Sequence, residues 1–146
     1  MGKRRKARES TLQILFQLEF NDPQPEKVLN LFWESRRTSK EIKDYSSWLV
    51  KGIISHKKKI DNIIQSVSEH WRISRMAVVD RNVLRIAVFE LLFEENIASA
   101  VIINEAIEIA KKYSSMEAAT FVNGILDAIR KEIDTLRTSL KEEENG

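Results

Sequence analysis

The 146-residue sequence has no cysteine, only two histidines and two prolines, and four glycines. Without cysteine there is no disulfide framework and no thiolate metal site. That suits a reducing cytosol, and the cytoplasm is the expected compartment. His56 and His70 stand far apart, and neither has a second ligand at helical spacing, so no zinc site is expected. There is no glycine-rich phosphate loop and no local signature of a nucleophile triad. No catalytic residue, cofactor or metal is therefore expected. No apolar run approaches the roughly 20 residues that cross a bilayer. The apolar stretch behind the basic N-terminus is interrupted by Gln13, Gln17 and Glu19, a poor pattern for a signal peptide. No membrane partner is expected.

What the chain does have is apolar residues at spacings of three and four, with little β-branched alternation, which predicts helices throughout. The first covers about 5–21, with Leu12, Leu15, Phe16 and Phe20 on one side, and "NDPQP" ends it. Pro25 suits the first position of a second helix running to about 37, with Val28, Leu31 and Phe32 inward. Thr38 and Glu41 have capping-box spacing. They would open a long third helix through Val67, with Tyr45, Trp48, Leu49, Ile53, Ile60, Ile63 and Ile64 inward. Gly52 within it marks a close crossing or a bend. "VVDRNVLRIAVFELLFE" (78–94) is apolar almost all round, the mark of a central helix. A helix over 99–113 turns Ile102, Ala106, Ile109 and Ala110 inward, with Glu108 and Lys112 paired outside. Glu105 and Glu108 read as solvated. Ser114 and Glu117 repeat the capping-box spacing before a helix over 115–133. The sum is an all-α bundle of six to seven helices in two packed subdomains. It forms one domain over 1–133, followed by a frayed acidic tail over 134–146.

Charge is the most informative local feature. The net charge is +2, yet Lys3, Arg4, Arg5, Lys6 and Arg8 place five positive charges within the first eight residues. The remaining body is mildly acidic. A dense basic block of this kind is the footprint of a polyanion partner. On a helix Arg4 and Arg8 lie one turn apart with Arg5 beside them, so three guanidiniums could share one ridge. Arginine forks match phosphate geometry. A basic tail without a partner is the competing reading. Two further basic clusters, Arg36–Arg37–Lys40–Lys43 and Lys57–Lys59, read as solvated faces.

Three segments in order, "VVDRNVLRIAVFELLF", "INEAIEIAKKYSS" and "FVNGILDAI", resemble the NusB family, and "RRKARESTLQILFQLEF" resembles that family's arginine-rich first helix. The resemblance covers about residues 3–133. It implies a non-enzymatic transcription antitermination factor with an all-helical fold in two subdomains. It implies binding of boxA-type single-stranded leader RNA together with the ribosomal protein NusE, within the RNA polymerase antitermination complex that reads through terminators in ribosomal RNA operons. It assigns Arg4, Arg5, Lys6 and Arg8, with Lys3 adding charge, to RNA. It adds Phe121 and Asn123 of "FVNG", and Thr120, where many members carry lysine. Gly124 is expected at a helix contact. Phe16 stands where the family often has tyrosine, and with Asp80 and Arg81 it is assigned to NusE. Glu117 matches a commonly acidic position and has an RNA or regulatory role as well as its capping role. Monomer and homodimer both stay open. The alternative is a helical module that serves an RNA methyltransferase.

Overall fold

The computed structural model describes residues 2–20 and 24–145. Among them are eight α-helices: α1 (Lys3–Phe20), α2 (Pro25–Glu34), α3 (Lys40–Ser55), α4 (Lys57–Val67), α5 (Val78–Phe93), α6 (Ser99–Tyr113), α7 (Met116–Arg130) and α8 (Ile133–Asn145), with one 3-10 turn at Ile73–Arg75. The all-α class stands, with more helices than expected. The expected end of the first helix at "NDPQP" falls largely on residues 21–23, outside the described residues.

The central element is α5, as its apolar sequence predicts. Every residue from Asn82 to Leu92 is buried, and α1, α3, α4, α6, α7 and α8 all pack on it. A smaller core of Ala7, Ile14, Leu29, Phe32, Trp33, Ile42 and Val50 joins α1, α2 and α3. The larger core joins α5 with α4, α6, α7 and α8, and with the inner faces of α1 and α3. The two subdomains thus share α1 and α3.

Gly52 marks a close crossing: a Cβ there would overlap the Phe89 ring. The expected long third helix is broken four residues later, at His56. Its Nδ1 lies 2.9 Å from the Gly52 carbonyl oxygen and its ring packs on Phe93. His56 thereby closes α3 and starts α4.

Both expected capping boxes shift by one residue. Ser39 and Ser115, not Thr38 and Ser114, accept the N–H of Ile42 and Ala118. Each takes the extended backbone that a cap needs. Glu41 and Glu117 then fall in the first turn, where a carboxylate favours the positive helix end, and neither reaches back.

Some inward assignments also change. Leu31 and Trp48, expected inward, are exposed, as are Phe16 and Phe20 of the apolar side of α1, and Leu29, Trp33 and Ile14 take core positions. The second helix stops at Glu34. The 134–146 tail is corrected as well: it is helical through Asn145. Ile133 and Leu140 are buried, and with Leu136 they form an apolar stripe at helical spacing that composition concealed. Arg137 donates from Nε and Nη2 to the Leu91 carbonyl, at 2.9 and 2.6 Å.

Candidate nucleic-acid interface

The basic head is the first two turns of α1. Its residues split by direction. Arg8 is turned into the protein and is 3% exposed. Its Nε and Nη2 donate to the two Glu90 oxygens at 2.7 and 2.9 Å, and its Nη1 donates to Glu105 Oε1 at 3.2 Å. Tyr45 donates its hydroxyl to Glu90 at 2.6 Å. Arg5 shares Glu105, with Nε at 3.1 Å and Nη2 on the other oxygen. Arg4 lies over the Tyr45 ring, 3.9 Å from its centroid, and reaches Glu94 at 3.4 Å while staying largely exposed.

The electrostatics follow from these partners. Burial alone would lower the Arg8 pKa, but the hydrogen bonds and charge of Glu90 outweigh it, and the net shift is upward. The Arg5 hydrogen bond holds Glu105 below the usual carboxylate range. Burial and the Glu90 charge push the Tyr45 phenol up. All three groups keep their neutral-pH charge states.

The expected ridge of three guanidiniums is therefore corrected. Arg8 is a structural cation, because Glu90 would otherwise be a carboxylate buried with no cation beside it. Arg5 is partly committed to the same cluster. The charge that faces solvent is carried by Lys3, Arg4 and Lys6. Lys3 has a loose, exposed pair with Glu41, of a kind worth about 0–1 kcal/mol.

Sequence reasoning missed Glu90, Glu105 and Tyr45, and took Glu105 as solvated. A signal was available. Glu90 is the one acid inside the apolar run 82–93, and Arg8 sits one turn before Leu12 on the core stripe. The expected Glu108–Lys112 pair is also replaced: Lys112 and the Tyr113 hydroxyl both donate to Glu9, and Glu108 pairs with Lys111.

A second group gathers near the start of α5. A hollow of about 310 Å³ is lined by Trp71, Arg75, Asp80, Ser115, Glu117 and Phe121 among others. Phe121 is half-buried and meets the Trp71 ring edge-on, with centroids 6.4 Å apart. One Asp80 oxygen is buried there without a hydrogen-bond partner. The sequence assigned Asp80 to a different partner from Phe121 and Glu117, yet the fold brings all three together. Glu117, Thr120 and Asn123 are exposed on α7, and the Thr120 hydroxyl is turned back to the Met116 carbonyl. Gly124, expected at a helix contact, faces open space.

Arg81 is not paired with Asp80 and is not free. It donates to both Glu19 oxygens and to the Met76 carbonyl. Its side chain, expected at a partner, is thus tied to Glu19 within the protein. On α1, Phe16 and Phe20 stand exposed with ring centroids 4.9 Å apart, a small aromatic patch flanking that Glu19–Arg81 tie.

From the head to the hollow is a long step. Arg4 reaches Glu94, just past the end of α5, and the hollow holds Asp80 of its first turn, so about 21 Å along that axis separates them at 1.5 Å per residue. The end of α6 lies along the way, because Lys112 and Tyr113 bond Glu9, the residue right after the head, and Ser115 already lines the hollow.

Comparison with known proteins places these features in context. The NusB family model matches residues 5–131. A transcription antitermination protein NusB from Thermodesulfovibrio yellowstonii is 44% identical, over 89% of this chain and 93% of the relative. The solved NusB of T. maritima superposes with a TM-score of 0.80 at 43% identity, over 88% of this chain and 91% of that one. A solved complex of the antitermination factors NusB and NusE with double-stranded RNA gives a TM-score of 0.80 at 30% identity, over 90% and 98%.

Proposed function

The chain belongs to the NusB family, and on that premise we propose that it is a transcription antitermination factor. It binds boxA-type single-stranded leader RNA together with the ribosomal protein NusE and promotes RNA polymerase read-through in ribosomal RNA operons. It acts as an adaptor in the cytoplasm, without catalysis of its own.

One observation carries the RNA reading. Exposed Lys3, Arg4 and Lys6 on α1 and the Trp71–Phe121 hollow are linked by the Lys111–Lys112 end of α6. Cations at one end can hold phosphates, and an aromatic hollow at the other can stack a base, for about 1–3 kcal/mol per base. Arg5, half-buried, lends field to the head more than direct contact. Thr120 and Asn123 border the Phe121 turn and supply polar contacts there. Glu117, beside them, weakens phosphate binding by repulsion and so limits the register of the strand.

The exposed Phe16–Phe20 pair supports the NusE reading. Adjacent exposed aromatic rings favour burial against a protein, where large rigid side chains give contact area at low entropic cost.

The test is a titration of boxA RNA against a scrambled strand and a duplex of the same sequence, with and without NusE, at two salt concentrations. Preference for the single-stranded boxA sequence, tightened by NusE, is the expected result. Equal binding of all three nucleic acids with no NusE effect overturns the proposal.

A further inference from the structure

A second hollow lies between the head of α1, the α2–α3 connection and the end of α6. It measures about 310 Å³, and its lining includes Lys6, Ser10, Trp33, Arg36, Arg37 and Tyr113. We infer that it is a phosphate-binding station on the path of the RNA strand, built by Lys6, Arg36, Arg37 and the Trp33 indole N–H.

Charge is the first support. Lys6, Arg36 and Arg37 converge on the hollow from two separate elements. Among the described residues, no carboxylate forms an ion pair with any of them. The hollow's one acid, Glu9, is already neutralised by Lys112 at 2.8 Å and holds the Tyr113 hydroxyl at 3.0 Å. The field in the hollow is therefore positive.

Preparation is the second. The Arg36 guanidinium is stacked on the Phe32 ring, 3.7 Å from its centroid, and its Nη1 donates to the Phe32 carbonyl at 2.8 Å. A guanidinium fixed in this way loses little freedom when its remaining N–H groups meet an oxyanion.

The third support is an unexplained polar atom. Trp33 lines the hollow and is 7% exposed. Its Nε1 has no hydrogen-bond partner, and a buried donor left unmade costs free energy. An acceptor oxygen brought in by a small shift of the lining satisfies it. Tryptophan offers a donor only, which matches an anion.

Position decides in favour of an RNA phosphodiester over a free anion. Lys6 belongs to the head itself. Tyr113 stands three residues before the first residue of α7, the helix that carries Phe121. A strand laid from the head to the Phe121 hollow passes over this one. The inference rests on the RNA-binding reading and adds contacts to it.

The experiment measures boxA RNA binding by fluorescence anisotropy at two salt concentrations for the full chain and three variants. The Arg36→Gln/Arg37→Gln chain should bind at least about tenfold more weakly. Its salt slope should be shallower by about 1.4, from ~0.7 per single-strand phosphate contact. Arg37→Gln alone breaks no bond within the protein and should give about half that change in slope. It keeps the test open should the double variant melt early. Trp33→Phe keeps an aromatic ring but removes the N–H together with the pyrrole half of the indole, so it should weaken binding severalfold with the slope unchanged, as no charge is lost. Binding and slopes equal to the parent in all three variants overturn the station while leaving RNA binding intact. No binding by the parent chain overturns the RNA reading, and this one with it.

Discussion

The two ends of the α1–α5 contact carry buried ion clusters of opposite construction. At one end α5 supplies the anion, Glu90, and α1 the cation, Arg8. At the other α5 supplies the cation, Arg85, and α1 the anion, Glu19, with Asp61 of α4 on the far side at 2.8 Å. The difference fixes direction. Running α1 the other way along α5 would set Arg8 against Arg85 and Glu19 against Glu90. Buried ion pairs add little net stability against an apolar replacement, yet breaking one is costly. These two clusters therefore act on helix orientation more than on the depth of the folded state. They also show that a basic segment can be partly keystone and partly contact surface, one helical turn apart.

Four changes would break or sharpen that contrast. The largest effect belongs to Glu90→Ala, which leaves the buried Arg8 with a single, longer contact to Glu105 at 3.2 Å, an acid that Arg5 already shares. The expected loss is about 3–5 kcal/mol, read by chemical denaturation. The Arg8→Met/Glu90→Met pair should recover most of it, and no recovery would show that the cluster does more than compensate charge. Next comes Glu19→Ala. Arg85 keeps Asp61 and the Asn82 side chain, so the loss should be smaller, about 1–3 kcal/mol by the same denaturation. A loss equal to that of Glu90→Ala would make the two ends equivalent.

Third, Lys3→Gln/Lys6→Gln removes only outward charge. RNA binding should lose about 0.7 of salt slope per contact, while stability shifts by less than about 0.5 kcal/mol. A collapse of the melt would place these lysines with Arg8. The smallest effect is on pH dependence. Both Glu105 and Glu19 have lowered pKa values. At Glu105 the Arg5 hydrogen bond is the main cause. At Glu19 burial pulls upward and the Arg81 and Arg85 bonds overcome it. Their stabilisation is complete above the unfolded carboxylate pKa, about 4.3, and is lost as pH falls through the lower folded values. Glu105→Gln should flatten the acid limb of the stability curve, and an unchanged limb would remove Glu105 from it.

The helices were legible where apolar spacing alone decides them. The α5 and α6 boundaries and the inward set Ile102, Ala106, Ile109 and Ala110 follow from periodicity. Gly52 was legible as a close crossing or a bend, because a helix interior tolerates glycine poorly without a reason, and the structure selects the crossing. The direction of a charge was legible only in part. Arg8 sits on the core stripe one turn before Leu12, but the acids that hold it inward lie on α5 and α6, more than 80 residues away. The caps failed for a related reason. Thr38–Ser39 and Ser114–Ser115 each offer two adjacent hydroxyls, and the capping-box spacing favoured the first. The backbone extends at the second, so the helix begins there. The site was half legible. Phe121, Asp80 and Glu117 were each singled out, but their meeting in one hollow depends on how α7 lies beside the start of α5.

The grip of Arg137 on Leu91 has a consequence for the opposite terminus. Leu91 lies among the last four residues of α5, whose carbonyls lack partners within the helix. Arg137 thus plugs the exposed end of the central rod. Three residues beyond Leu91 is Glu94, the acid that steadies Arg4. Clipping the chain before α8 would loosen that end and slacken the N-terminal arginine, so a cut at the last helix would be felt at the first.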